Sequence, residues 1–404
     1  MVFLPECVTR LPVSHHFLRR SLSSPSRAGG APTRRNRARK VLTTETITLD
    51  GNYSLPTFVY RPSGANAMSE ARTNAAFSNL PPLLLVSGWT GVASDWGAIP
   101  SMLASQIGRD VVTFDARGVG DSTPVDVEVC GCLPLEDLSL KQMASDALCV
   151  VKSAEEMRRK DDGAVGGIGI AAEPPLSFCV GGASMGGMVA QLLAGAAHGR
   201  VSLPCGRGHG GDVFELTSMA LICTSSRVPS PSTHDFLNSF ECWSSNSDDL
   251  VNRQCVERFF DMALGEAFLR RPGRARLREK LVDGFVLDRA ASSNSCGTGM
   301  QAQKRALLQF SNVGGTAEFL PDIGEHIPSL VVHGKDDRVI HHKSALHLQH
   351  LLGSRTSLSL IEDCDHLCWI THGLELVEIL GDFFSRSPVF LQRASDDSQQ
   401  ISTK

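Results

Sequence analysis

No apolar run in this sequence approaches the roughly 20 residues that a membrane-spanning helix needs, so a spanning protein is excluded. There is no excess of positive charge either. Thirty-nine Lys and Arg against 43 Asp and Glu leave a formal net charge of −4. A general nucleic-acid binder needs a basic surface, so that class is set aside. The 12 cysteines are scattered, and Cys130-Gly-Cys132 and Cys364-Asp-His-Leu-Cys368 are the only close pairs. No second ligand cluster stands at zinc-type spacing, so no metal is expected. Several cysteines lie in apolar strand-like runs and read as small buried hydrophobes in a reducing compartment. The Gly-rich stretches 163–170 and 205–212 lack the Lys and Ser/Thr of a phosphate loop and read as surface loops. No internal repeat is evident.

What is present begins with composition. Hydrophobic residues make up 42% of the chain, enough for a large core and incompatible with disorder throughout. Charge is unevenly placed. Arg10, Arg19, Arg20, Arg27, Arg34, Arg35, Arg37, Arg39 and Lys40 stand against Glu6 alone, among Ser21, Ser23, Ser24 and Ser26. An Arg-rich, Ser-rich, acid-poor segment has the character of an organelle transit peptide, so 1–40 reads as a mitochondrial address. A disordered basic tail is the alternative, with a cytoplasmic protein behind it. The C-terminal Ser402-Thr403-Lys404 is not the peroxisomal tripeptide.

The periodicity beyond residue 40 predicts strands at 44–49 and 55–60, joined as a hairpin through Asp50-Gly51-Asn52. Short, continuously apolar runs at 83–86, 111–114, 176–180, 219–223 and 330–332, with a similar one at 358–361, predict strands buried on both faces. Helical patterns at 96–107, 138–157, 185–197, 344–352 and 374–384 alternate with them. That alternation predicts an α/β fold whose mostly parallel sheet is covered by helices on both faces. The interval 224–329 is too long for an ordinary crossover and holds helix-like runs at 250–264, 275–285 and 300–310. It reads as a helical lid over the C-terminal edge of the sheet, where ligands bind in such folds. The expected organisation is therefore 1–40 basic segment, 41–228 first part of the core, 229–317 lid, 318–390 second part of the core and 391–404 polar tail.

One pentapeptide carries most of the chemistry. Gly182-Ala183-Ser184-Met185-Gly186 follows an apolar strand and precedes an apolar helix. A serine on such a turn is held in a strained conformation that only small neighbours two residues away can accommodate. The turn raises the hydroxyl above the sheet edge, which makes Ser184 a candidate nucleophile. A serine needs a base, and the base an orienting acid. His333-Gly334-Lys335-Asp336-Asp337-Arg338 and Ile361-Glu362-Asp363-Cys364-Asp365-His366 both follow strands, on the side of Ser184. His366 is the candidate base and His333 its rival, the latter expected to pack. His341, His342, His347 and His350 are expected to be solvated.

With these residues together, the chain resembles serine hydrolases of the α/β-hydrolase superfamily, esterase- and lipase-like, over about 44–387 outside the lid and insertions. The family's Asp-x-Arg-Gly-x-Gly-x-Ser stretch stands as Asp115-Ala116-Arg117-Gly118-Val119-Gly120-Asp121-Ser122, and its acid loop as Gly334-Lys335-Asp336-Asp337. The resemblance implies Asp337 as the triad acid, with Asp336 as the alternative. Asp363 and Asp365 are then expected as surface charges, and Arg117 as a structural brace. It also implies an oxyanion hole from the backbone N–H of Met185 and of Trp89, within Ser87-Gly88-Trp89-Thr90-Gly91, where the family usually has His-Gly.

The function implied is hydrolysis of an ester or thioester through an acyl-enzyme on Ser184, His366 and Asp337, with a small-molecule acyl substrate and no metal or organic cofactor. The same residues are compatible with an acyltransferase, a C–C bond hydrolase, a cofactor-free peroxidase, or a binding module that has lost turnover. Phe259, Phe260, Met262, Leu264, Phe268, Leu281, Phe285 and Val286 would either line an apolar pocket or form the lid's own core. The oligomeric state is not legible. A reporter fused behind residues 1–40 is expected to enter mitochondria, and fluorescence left in the cytosol would contradict that address.

Overall fold

The computed structural model describes residues 42–49, 53–62, 80–124, 137–161, 175–204, 214–228, 230–241, 249–291 and 298–386. The basic segment 1–40, both Gly-rich stretches, Cys130, Cys132 and the tail 391–404 lie outside these residues. The first elements are β1 (Leu42–Leu49), β2 (Tyr53–Tyr60), β3 (Leu83–Val86), α1 (Ile99–Ile107), β4 (Val111–Phe114), β5 (Thr123–Pro124) and α2 (Leu140–Asp161). Then come β6 (Leu176–Ala183), α3 (Met185–Ala197) and β7 (Phe214–Ile222). The helices α4 (Pro231–Leu237), α5 (Asp249–Ala263), α6 (Glu266–Leu269), α7 (Arg274–Ala291), α8 (Thr298–Asn312) and α9 (Leu320–His326) follow before the next strand. The chain closes with β8 (Ser329–Gly334), α10 (Lys343–Leu352), β9 (Thr356–Ile361), α11 (Cys368–Thr371) and α12 (Gly373–Ser385). No described helix is long and apolar enough to cross a membrane.

The strands form one sheet in the order β1-β2-β4-β3-β6-β7-β8-β9, with β5 paired to β2. β1 and β2 are antiparallel in the register Leu42↔Tyr60 to Leu49↔Tyr53, and β2 is antiparallel to β4. From β4 to β9 every pairing is parallel. This is the expected α/β-hydrolase architecture. β2 buries alternate residues, as an edge-region strand with one wet face does. β3, β4 and β8 are buried at every position, because helices cover both faces.

Alternate side chains feed two apolar layers. Leu83, Leu85, Val111, Cys179, Ala220, Ile222, Leu330 and Val332 pack with α1 and α12 through Leu103, Ile107, Leu376, Leu380 and Phe384. Leu84, Val86, Val112, Phe178, Val180, Leu221 and Val331 pack on the other side with α2, α3 and α10. Cys179, Cys223, Cys364 and Cys368 are fully buried free thiols, as expected, whereas Cys255 is disulfide-bonded.

The helical insertion between β7 and β8 has its own apolar seam. Helical spacing in the sequence places Val251, Cys255, Phe259 and Met262 on one face of α5, and the buried face differs from it. Cys255, Val256, Phe259, Phe260 and Ala263 are buried, but Val251 is exposed and Met262 half-buried. α5 and α7 run side by side, tied by Arg253 to Asp283 at 2.6 Å and Arg278 to Asp261 at 2.5 Å. α9 packs instead on α3 and α10.

The Asp115–Ser122 stretch braces the loops. Arg117 donates to Asp146 from Nε at 2.6 Å and from Nη2 at 3.0 Å, and lies 4.7 Å from the Tyr53 ring centroid. Both members of the ion pair are buried. Removing one partner of such a pair strands the other charge away from water. Asp146→Ala is therefore expected to cost about 3–5 kcal/mol in urea unfolding; a loss below about 1 kcal/mol would contradict the bracing role.

Candidate active site

β6 lies between β3 and β7 in the middle of the sheet and ends one residue before Ser184. Ser184 has φ 53° and ψ −119°, a conformation rarely open to a residue with a Cβ. Its backbone is held on both sides. Ser184 N–H donates to Ile222 O at 2.9 Å, and Ser184 O accepts from Gly187 N–H at 2.9 Å and Thr224 Oγ1–H at 2.6 Å. The flanking glycines are required by space. A Cβ on Gly182 would overlap Gly186 O, and one on Gly186 would overlap Val86 O. Backbone atoms cannot rotate out of the way, so no other residue fits either position.

The loops after β8 and β9 bring the acid and the base to this turn. His366 Nε2 lies 3.1 Å from Ser184 Oγ, and His366 Nδ1 lies 2.8 Å from Asp337 Oδ2. Asp337 Oδ1 accepts from Val339 N–H and Ile340 N–H, each at 2.8 Å. His333 Nε2 sits 3.1 Å from Asp337 Oδ2 and 2.7 Å from Ile340 O. Both of those neighbours are acceptors, so Nε2 carries the His333 proton. Burial alone would disfavour charge on Asp337. Electrostatic attraction to the His366 ring and the hydrogen bonds from both imidazoles outweigh it and hold the carboxyl well below the usual carboxylate range. An ionised Asp337 only accepts, so His366 Nδ1 carries the proton and Nε2 offers a lone pair to the Ser184 hydroxyl.

The structure thus brings Ser184, His366 and Asp337 together and leaves Asp336 exposed. His333 is wholly buried, as expected, but it also holds the acid. Asp363 is an exposed partner of Arg271 at 2.9 Å, as expected of a surface charge. Asp365 is not a surface charge; it is 2% exposed, because the loop after β9 folds it inward. Its Oδ1 accepts from Leu367 N–H at 3.0 Å and its Oδ2 is buried with no hydrogen-bond partner. Burial pushes this carboxyl up to about 8. Ligand-type atoms of Cys223, His333 and Asp337 lie within 4.8 Å of one another. Both Asp337 oxygens are already committed to donors, and burial raises the Cys223 thiol, which keeps it protonated. That donor set does not fit a resident metal.

Met185 is the first residue of α3, where backbone N–H groups lack intrahelical acceptors. Gly88 lies against the serine, with its Cβ direction 3.1 Å from Ser184 Cβ. Trp89 follows it, its indole buried and donating to Met300 O at 2.9 Å. The Trp89 ring meets Phe236 and Phe240 edge-on, at 5.7 Å and 5.5 Å between centroids. Phe236 in turn lies 5.7 Å from the His366 ring. Phe259 and Phe285 close the aromatic cluster against Phe240, at 5.0 Å and 5.6 Å. Sequence reasoning missed His333 as a partner of the acid, Phe236 beside the base, and Gln303, whose amide reaches Thr90 N–H at 3.1 Å. Gln303 has no motif around it; its only signal is a polar residue on the buried face of a helix.

The sequence pattern of the Alpha/beta hydrolase family matches residues 83–379. No curated protein matches the chain. Among solved structures, a thermophilic esterase from Thermogutta terrifontis is similar with TM-score 0.54 and 17% identity over 84% of this chain and 97% of that one. A meta-cleavage product hydrolase from Pseudomonas fluorescens gives TM-score 0.56 at 14% identity over 84% and 97%. An esterase from a Rhodococcus species gives 0.54 at 18% identity over 86% and 100%. At these identities the likeness is one of fold.

The buried Asp365 makes stability depend on pH. Its carboxyl ordinarily titrates near 3.8 and here near 8, so between those values the folded state holds the extra proton. Its contribution is fully present below about pH 4 and is lost as pH rises through about 8. Asp365→Asn keeps an oxygen for Leu367 N–H and cannot ionise. In urea unfolding it is expected to match wild type near pH 4.5 and exceed it at pH 8.5. A difference that does not change with pH would count against this account.

Proposed function

The chain belongs to the Alpha/beta hydrolase family, and from that membership we propose that it is a serine hydrolase cleaving a carboxylic ester or thioester. The observation that carries this reading is the unbroken path Ser184 Oγ to His366 Nε2 at 3.1 Å and His366 Nδ1 to Asp337 Oδ2 at 2.8 Å. Ser184 Oγ attacks the acyl carbon as its proton passes to His366 Nε2. Asp337 orients the imidazole and stabilises its cation. The carbonyl oxygen becomes an oxyanion facing the N–H groups of Trp89 and Met185, and each such donor is worth about 10²–10³ in turnover. Collapse expels the alcohol or thiol, which takes the proton from His366. Water, losing a proton to His366, then attacks the acyl-serine and releases the acid.

We read 229–317 as the lid of this site. The apolar ring cluster of Phe236, Phe240, Phe259, Phe260 and Phe285 supports a substrate with an apolar acyl group. Ser184 is half-buried rather than sealed, which leaves room for approach.

Ser184→Ala is expected to lower p-nitrophenyl ester turnover by about 10⁶, in practice to background, and to abolish fluorophosphonate labelling. Across p-nitrophenyl esters of increasing acyl length, longer acyl chains are expected to be preferred over acetate; equal or opposite preference would remove the apolar-acyl reading. A folded wild type neither labelled nor active would overturn the hydrolase reading and favour a binding module.

A further inference from the structure

The loop that carries Trp89 is held from outside the core. Thr90, the next residue, has φ 63°, a left-handed conformation that a β-branched side chain strongly disfavours. Such a conformation persists only where its neighbours over-determine it. Two of those neighbours belong to α8 of the insertion. Thr90 N–H donates to Gln303 Oε1 at 3.1 Å, and Trp89 Nε1–H donates to Met300 O at 2.9 Å. Residues 300 and 303 lie one turn apart, on one face of the helix.

The Gln303 amide is itself fixed at its other end. Its Nε2–H donates to Arg117 O at 2.9 Å, and the side chain is wholly buried. The start of α8 is seated on the same stretch, where a Cβ on Gly299 would overlap Gly118 O. This explains Gly118, with φ 83°, which has no part in the chemistry. Arg117 is locked to Asp146. The rigid Asp115–Ser122 stretch thus anchors Gln303, and Gln303 anchors Thr90.

We infer that Gln303 is a positioning residue for the oxyanion hole, resting on the serine-hydrolase reading above. Gln303 fixes the peptide that follows Trp89, and Met300 fixes the Trp89 side chain. The peptide that bears the Trp89 N–H is left with one orientation, against Ser184. The insertion and the oxyanion donor therefore move together: when α8 leaves its seat on Gly118, the donor turns away. No catalytic side chain needs to shift for activity to fall.

Gln303→Met keeps length and removes both hydrogen bonds. With p-nitrophenyl butyrate its kcat is expected to fall by about 10–10³, up to the loss of one whole donor, with KM within about twofold. Affinity for a trifluoromethyl ketone, which binds as the tetrahedral adduct, is expected to fall in proportion to kcat/KM. Gln303→Glu supplies the second test and remains decisive if the Met variant does not fold. A neutral carboxyl reproduces both bonds, C=O accepting from Thr90 and O–H donating to Arg117 O. Its kcat relative to wild type is expected to rise as pH falls, since burial raises a carboxyl's pKa.

Unchanged kcat and ketone affinity in folded Gln303→Met would overturn the inference. So would a kcat ratio for Gln303→Glu that is flat with pH. Active wild type with either result leaves the hydrolase reading standing; inactive, unlabelled wild type overturns both.

Discussion

The structure depends on a close approach of backbone to backbone at the end of β6. Gly182 and Gly186 pass so near to each other and to Val86 that neither can carry a Cβ. That contact lets the chain turn within one residue from strand to helix, and it forces Ser184 to a positive φ. The strain is held by bonds from three directions: Ile222 on the neighbouring strand, Thr224 beyond it, and Gly187 in the first turn of α3. The helix start and the serine are thereby fixed together. The loops after β3, β8 and β9 need only reach this point, which the parallel order of the sheet provides.

Electrostatics at the site follow from burial. Asp337 is out of water, where a bare carboxylate would take up a proton. Two backbone N–H groups and two imidazoles keep it ionised. One residue before His366, Asp365 lacks a cationic partner on its inner oxygen and its carboxyl is driven the other way. Two aspartates in adjacent loops therefore sit in opposite protonation states near neutral pH, and the difference is in their donors.

Much of this was legible because the relevant physics is local. The core strands announce themselves as short apolar runs, and the Ser184 turn as small residues between a strand and a helix. Elements as short as β5 and α6 hold too few residues to show a period. The sequence leaves the acid as Asp336 or Asp337, and only packing separates the exposed member from the buried one. Asp365 reads as a surface charge because its neighbours Glu362 and Asp363 are polar; the inward fold of the loop is a tertiary fact. His333 and Gln303 act through partners that are distant in sequence or set by a turn, so neither carries a local signature. In the insertion, the buried face of α5 is rotated from the expected one, since Cys255, Val256 and Phe259 are buried and Val251 is not.

The account turns on whether Ser184 becomes acylated. The most direct measurement is rapid-quench mass spectrometry of the protein mixed with excess p-nitrophenyl butyrate, followed by peptide mapping. The account predicts a butyryl increment on the peptide that contains Ser184, rising in the first turnover and decaying as butyrate is released. Turnover with no increment, or an increment on another residue, would contradict it.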